Sequence, residues 1–265
     1  MSDVYYCQYA FAKPQCLAQE IGPGVDPQFC VELIQDGPIA AVASRVDLAE
    51  FSPDRLQGKT AEDIQWLGKV AARHNEVISL SARSSPVLPL RLGTLFCSLD
   101  SLRATLVRCR AVAAEFLDQL GDRQEWGVKL YLQNRRLESA PRHDGPAAPH
   151  FSRPQSGGAA YLAKKRAEID SRREQRAGVY QTVRTVEQCL AGKAENCCRI
   201  RNLSSDLTGR SEEMVFNAAF LLSASEQAAW LETTQTIDQN VHNNGLLLEI
   251  SGPWPPYHFC PNLEL

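Results

Sequence analysis

Apolar residues recur along the chain with a period of two in some stretches and of about 3.6 in others, and the switches between these periods divide it into elements. Near the end, Leu246, Leu248 and Ile250 fall on one face of an extended stretch, with Leu247, Glu249 and Ser251 on the other. Being apolar on both faces in its first half, it predicts a strand inside a sheet, covered above and below. Gly252-Pro253 predicts the end of ladder pairing, and Pro255-Pro256 an extended, polyproline-like path. Trp254, Tyr257 and Phe259 on that path predict an aromatic latch with mostly buried rings. The sharper alternative is a proline-rich ligand for the groove of a partner.

From the start of the chain, residues 4–10 have strand propensity. A loop with Gly22, Pro23, Gly24 and Pro27 follows, where a crossover helix is otherwise expected. Residues 29–35 and 39–46 predict a hairpin around Asp36-Gly37. Residues 51–58 read as loop. Thr60 is the expected N-cap of a helix over 61–81, with Asp63 in its first turn and Ile64, Leu67, Ala71, His74 and Ile78 near one stripe. Ser84-Ser85-Pro86 breaks it, and 87–91 is a strand. A helix over 98–120 carries Leu102, Leu106, Cys109, Val112, Phe116 and Leu120 at helical spacing and ends at Gly121.

Trp126, Val128, Leu130 and Leu132 then alternate with Gly127, Lys129, Tyr131 and Gln133 as a half-buried strand. Residues 134–155, with four prolines, read as a loose excursion. A long helical pattern covers 156–195; its charged first half is solvated, and Val179, Val183, Val186 and Leu190 dock the second. A weak strand over 198–203 and a strong one over 214–222, with Phe216, Ala218, Phe220 and Leu222 on one side, precede a helix over 226–242 capped by Ser225.

From residue 125 onward the order is strand, helix, strand, strand, helix, strand, the split βαβ arrangement of ferredoxin-like domains. The N-terminal part repeats it with the first helix replaced by a loop. The predicted fold is α+β: two tandem ferredoxin-like domains with antiparallel sheets of about four strands, joined by the 98–120 helix, with a long helix in the second. The expected division is 1–121, then 122–265 with the excursion and the aromatic tail. Arg91 and Lys129, in or beside strands, are expected to meet carboxylates or carbonyls.

Composition narrows the function by exclusion. Of 265 residues, 44% are apolar and 22% charged, as in a soluble globular protein. No apolar run approaches the roughly 20 residues of a membrane helix. The start, MSDVYYCQYAFAKPQC, lacks the basic and apolar regions of a secretory signal, so the expected compartment is the cytosol. Nine cysteines include no CxxC and one adjacent pair, Cys197-Cys198, which spells neither a disulfide framework nor a zinc site. Cys30, Cys97, Cys109 and Cys189 sit among apolar neighbours and are expected buried. A net charge of −3 gives no general attraction to nucleic acid or anionic lipid. The cluster Lys164, Lys165, Arg166, Arg172, Arg173 and Arg176 is interspersed with acids and reads as a solvated helix face.

No P-loop, GxGxxG, HExxH or GxSxG motif is present. His143 and His150 in the excursion have the chemistry for a metal, but such a pair is ordinary in a loop. The strand EEMVFNAAFLL lacks the basic residue and spaced aromatics that an RNA-recognition module requires. No catalytic residue, metal or cofactor is expected.

Three stretches carry a resemblance: PVLPLRLGTLF at 86–96, EWGVKLY at 125–131 and GLLLEISGPWPPYHF at 245–259. SGGAAYLAKKRAE at 156–168 and NAAFLL at 217–222 add to it, in the same order. Together they resemble the GvpF/GvpL family of gas vesicle proteins, over the full length. Departures are small: Leu92 for the usual phenylalanine, Ser251 for threonine, and a looser SGGAAYL. The motif positions are Pro89, Leu90, Arg91, Gly93, Thr94, Phe96, Trp126, Lys129, Gly252, Pro253, Trp254, Pro255, Pro256 and Tyr257, in structural or partner-binding roles. The resemblance implies a non-enzymatic accessory protein of gas vesicle assembly in the cytoplasm, associated with the vesicles. Its implied partners are the main hydrophobic shell protein and other gas vesicle accessory proteins, with no nucleic acid and no lipid membrane. A tandem ferredoxin-like regulatory module that binds a small metabolite is the alternative.

Overall fold

The computed structural model describes residues 4–16, 21–58, 60–133 and 157–263. The predicted excursion, with His143 and His150, lies outside the described residues. The chain divides into two compact units, Met1–Trp126 with Leu221–Ala224 and Gly252–Leu265, and Gly127–Phe220 with Ser225–Ser251. Residues Gly252–Leu265 thus lie with the first unit.

The first sheet contains β1 (Val4–Ala12), β2 (Glu32–Asp36), β3 (Ile39–Asp47), β4 (Val87–Pro89) and β5 (Leu95–Phe96), in the order β2-β3-β1-β4, with β5 also on β1. Every pairing is antiparallel. β2 and β3 form the hairpin predicted at Asp36-Gly37, where Gly37 has φ +60°. Alternation along the strands feeds two cores. Val42 and Val46 of β3, with Cys7 and Tyr9 of β1, join Val70, Val77 and Ile78 of α2 (Ala61–Ala82). Ile39, Ala41 and Ala43, with Phe11, face Leu102, Leu106, Cys109, Ala113 and Leu117 of α3 (Leu99–Leu120). Helices therefore cover both faces of this sheet. A short α1 (Pro53–Leu56) precedes α2.

Thr60 caps α2 as predicted, in a reciprocal capping box with Asp63, and Ser98 caps α3 in the same way with Ser101. The buried stripes sit slightly rotated from the expected ones, leaving Ile64 and Val112 exposed. Between β1 and β2, the described residues of the connection are fixed by single atoms. The Tyr9 hydroxyl accepts from the Val25 backbone N–H at 2.8 Å and bonds Ser44 Oγ at 2.7 Å. Asp26, buried, accepts from the N–H groups of Gln28 and Asp47 at 3.0 and 3.1 Å. Gly24 passes so close that an added Cβ would stand 2.1 Å from Ser44 Oγ.

The second sheet contains β6 (Gln124–Leu132), β7 (Asn196–Arg199), β8 (Glu213–Leu222) and β9 (Leu246–Trp254) in the order β7-β8-β6-β9. Numbered within each repeat, both sheets run 2-3-1-4, which supports the tandem ferredoxin-like fold. The second unit adds α4 (Gly157–Ala191), a short α5 (Ser205–Thr208) and α6 (Gln227–Asn243). Its core includes Val128, Leu130, Phe216, Phe220, Val183, Val186, Leu190, Trp230, Ile237 and Val241, with the Phe220 and Trp230 rings 5.6 Å apart.

Several expectations are corrected. β9 is an edge strand and runs on through Gly252-Pro253 to Trp254. An edge tolerates proline because its outer N–H positions need no ladder partner. α6 starts at Gln227 with Glu226, not Ser225, at the N-cap. Cys109 is buried, but Cys30, Cys97 and Cys189 are exposed, since apolar neighbours in sequence need not share a face.

Candidate functional site

The motif residues of 89–96 form a strand-turn-strand on β1. Pro89, buried, stands opposite Ala10, and the Leu90 N–H donates to the Tyr9 carbonyl at 2.8 Å. The Leu90 carbonyl accepts from His74 Nε2 at 3.1 Å. Burial holds the His74 imidazole below its ordinary pKa, so the ring is neutral and donates from that nitrogen. Arg91 and Thr94 close the turn through the Arg91 carbonyl, which accepts from the Thr94 N–H at 3.3 Å and its hydroxyl at 2.8 Å. Gly93 supplies the φ of +86° that the third position of such a turn needs. Phe96 then pairs opposite Tyr6. The Arg91 side chain points to solvent and meets no carboxylate or carbonyl among the described residues, against expectation. Exposed, it needs none.

The motif residues around Trp126 and the tail come together in the first unit. Glu125 is 3% exposed. Its carboxylate accepts from the His258 backbone N–H at 2.8 Å and meets His258 Nδ1 at 2.6 Å. That bond to Glu125 raises the His258 pKa above its ordinary value, against the opposing pull of burial. Beside it, Gly252 has φ +135°, and an added Cβ would lie 3.0 Å from the Glu125 carbonyl oxygen and 3.1 Å from the Trp126 ring. The Gly252–Pro253 peptide is cis. Pro255 and Pro256 are buried, and the Pro256 carbonyl accepts from the Phe259 N–H at 3.2 Å and Cys260 Sγ at 3.0 Å. Burial pushes the Cys260 thiol up to about 12. Cys260 and Leu263 pack on the core under α3.

The aromatic rings do not form the latch. Trp254 is 45% exposed, Tyr257 36%, and Phe259 is half-buried. The Tyr257 hydroxyl donates to Asn75 Oδ1 at 3.4 Å. What seats the tail is the proline pair, Cys260, Leu263 and the carboxylate of Glu125. Neither Glu125 nor His258 was singled out from the sequence. The available signal was their place inside EWGVKLY and GPWPPYHF, since periodicity gives no warning of a buried strand carboxylate.

In the second unit, Lys129 is paired as expected, its ammonium 3.0 Å from Glu249 Oε1. Arg210 takes the other Glu249 oxygen at 2.5 Å and lies 4.5 Å over the Tyr131 ring. A groove of about 800 Å³ separates α4 and α6, lined by residues including Thr182, Thr185, Thr233, Thr236 and Ile237. Among the described residues no group of three or more His, Cys, Asp or Glu is placed to hold a metal ion. Among them, too, no helix is long and apolar enough to cross a membrane.

The family described as gas vesicle synthesis protein GvpL/GvpF matches residues 5–261. Gas vesicle protein L of Streptomyces sp. (strain CB03234) is 28% identical over 232 residues, 86% of this chain and 82% of that protein. Gas vesicle protein L of Haloferax mediterranei is 23% identical over 212 residues, 75% of this chain and 62% of that protein. The crystal structure of GvpF from Anabaena sp. PCC7120 covers 98% of both chains at a TM-score of 0.65 and 15% identity. That of GvpF from Microcystis aeruginosa covers 98% of this chain and all of its own, at a TM-score of 0.63 and 14% identity.

Proposed function

The chain belongs to the GvpL/GvpF family of gas vesicle synthesis proteins, and we propose that it is a non-enzymatic accessory factor which binds the main hydrophobic shell protein as vesicles nucleate or grow. It works in the cytoplasm at the vesicle, beside other accessory proteins, and remains as a minor component. The observation that carries this reading is the family match across residues 5–261. The physical need is independent of it: a subunit with a large apolar face aggregates unless something covers it on the way to the growing edge.

The motif positions divide by exposure. Pro89, Leu90, Thr94, Phe96, Trp126, Gly252, Pro255 and Pro256 are buried or half-buried and hold the fold, Gly93 is exposed but supplies the positive φ of its turn, and Lys129 pairs with Glu249. Arg91, Pro253, Trp254 and Tyr257 reach solvent and are the motif side chains we assign to partner contact. Deleting the chain from a vesicle-forming cell is expected to abolish or sharply reduce vesicles seen by electron microscopy, with recovery on re-expression. Undiminished vesicles in the deletion would sink the proposal.

A second reading, a module that binds a small metabolite, is favoured by the groove between α4 and α6, whose size is that of ordinary ligand sites. It predicts that a metabolite raises the melting temperature of the purified chain.

A further inference from the structure

The geometry points to a docking seam on the first half of α4 that receives an acidic amphipathic helix of another protein. α4 packs against α6, and the groove between them is lined on α4 by its second half, from Gln181 to Cys189. Val183 and Leu190 stand seven residues apart, with Val186 between them and Val179 four residues before Val183. The last residues of this run are buried, and the Trp230 indole donates to the Leu190 carbonyl at 3.3 Å. In heptad terms, 183 and 190 are a positions and 179 and 186 are d positions.

The same register continues toward the helix start. Leu162, Ile169 and Arg176 occupy the a positions and Lys165 a d position, with Arg166 and Arg173 flanking at e. Leu162 is 57% and Ile169 55% exposed, and the four basic side chains are exposed too. Tyr180, 71% exposed, ends the row. At about 100° per residue these side chains lie along one side of the helix. None of the acidic residues at 168, 170 and 174 stands at an a, d or e position. The helix is therefore apolar and buried along its second half, and alternately apolar and cationic along its first, where nothing among the described residues covers it.

Charge selects the occupant. A second copy would set Lys165, Arg166, Arg173 and Arg176 against like charges. A membrane surface asks for a broad apolar face, and three large apolar side chains from 162 to 180 do not make one. Phosphate backbones use the cations but have no use for Leu162 and Ile169 at heptad spacing. An acidic helix with apolar residues opposite Leu162 and Ile169, and glutamates opposite the cations, satisfies both patterns. This rests on the chain acting as a binding partner but not on the shell protein being the one bound.

The test uses the full chain and a synthetic helical peptide of about three heptads, with leucine at a and glutamate at d and e. Titration calorimetry is expected to show binding that weakens between about 50 and 500 mM salt. The Lys165→Glu/Arg176→Glu variant should bind it about tenfold more weakly and gain affinity for the same peptide built with lysine. Leu162→Asp should also weaken binding, with the melting temperature unchanged because the position is exposed. Equal binding of a scrambled peptide would overturn the seam, leaving charge alone. So would self-association abolished by the charge reversals, or retention of the chain by anionic phosphatidylglycerol vesicles in preference to the peptide. Peptide binding that the charge reversals leave unchanged would remove this proposal, while the shell-binding proposal stands or falls on shell-protein retention.

Discussion

Glu125 and His258, 133 residues apart in the chain, are joined twice: one carboxylate oxygen takes the His258 backbone N–H at 2.8 Å and the other lies 2.6 Å from its ring nitrogen. The start of β6 thereby holds the tail by a buried acid, not by aromatic packing. Replacing Glu125 with alanine removes both acceptors and is expected to cost about 1–3 kcal/mol, read as a lower urea midpoint. Glu125→Gln keeps the backbone acceptor and should cost less. An unchanged midpoint in the alanine variant would mean that this pair holds nothing.

The pair also sets a pH dependence. Its folded-state His258 pKa lies above the unfolded value near 6.5. The contribution is therefore complete below that pH and is lost as pH rises through the folded value. The melting temperatures of wild type and His258→Gln should differ most at about pH 6 and converge in alkaline solution. A difference that stays constant or grows with pH contradicts the assignment.

Removing residues 253–265 uncovers the core beneath Cys260 and Leu263 and strips Glu125 of its partner, at an expected cost of about 2–5 kcal/mol. Trp254→Ala should stay within about 1 kcal/mol of wild type, because its ring is half in water. If the single substitution destabilises as much as the deletion, the tail is held by its aromatics after all.

Two glycines separate backbone strain from crowding. Gly93 needs its positive φ but has nothing within 4 Å of an added Cβ, so Gly93→Ala is expected to cost about 1 kcal/mol. Gly252 combines a φ of +135° with contacts at 3.0–3.1 Å, and Gly252→Ala should cost distinctly more. Equal losses in thermal melts would show that the β6 backbone and Trp126 yield to the new methyl group.

Much of the fold was legible because its signals are local. The Thr60–Asp63 capping box, the Asp36-Gly37 hairpin and the alternation through Val128 and Leu130 each identify an element without its neighbours. The tandem ferredoxin-like arrangement followed from the order of elements. Where β9 sits in its sheet did not, because a strand apolar on both faces reads as central and only the ladder shows it at the edge. The tail was legible as rigid and seated but not in what seats it. Proline stiffness is local, whereas the Glu125 carboxylate that meets His258 comes from a distant strand. The exposed seam of α4 was visible as mixed charge alone; its register against Val183 and Leu190 emerges only once those residues are known to be covered.

The most direct measurement is co-expression with the hydrophobic shell protein, followed by affinity purification through this chain and quantification of soluble and co-purified shell protein. The expected result is shell protein kept in the soluble fraction and retained on the chain, and neither when the chain is omitted. Shell protein that aggregates to the same extent with and without the chain, and none of which co-purifies, would contradict a role in binding it.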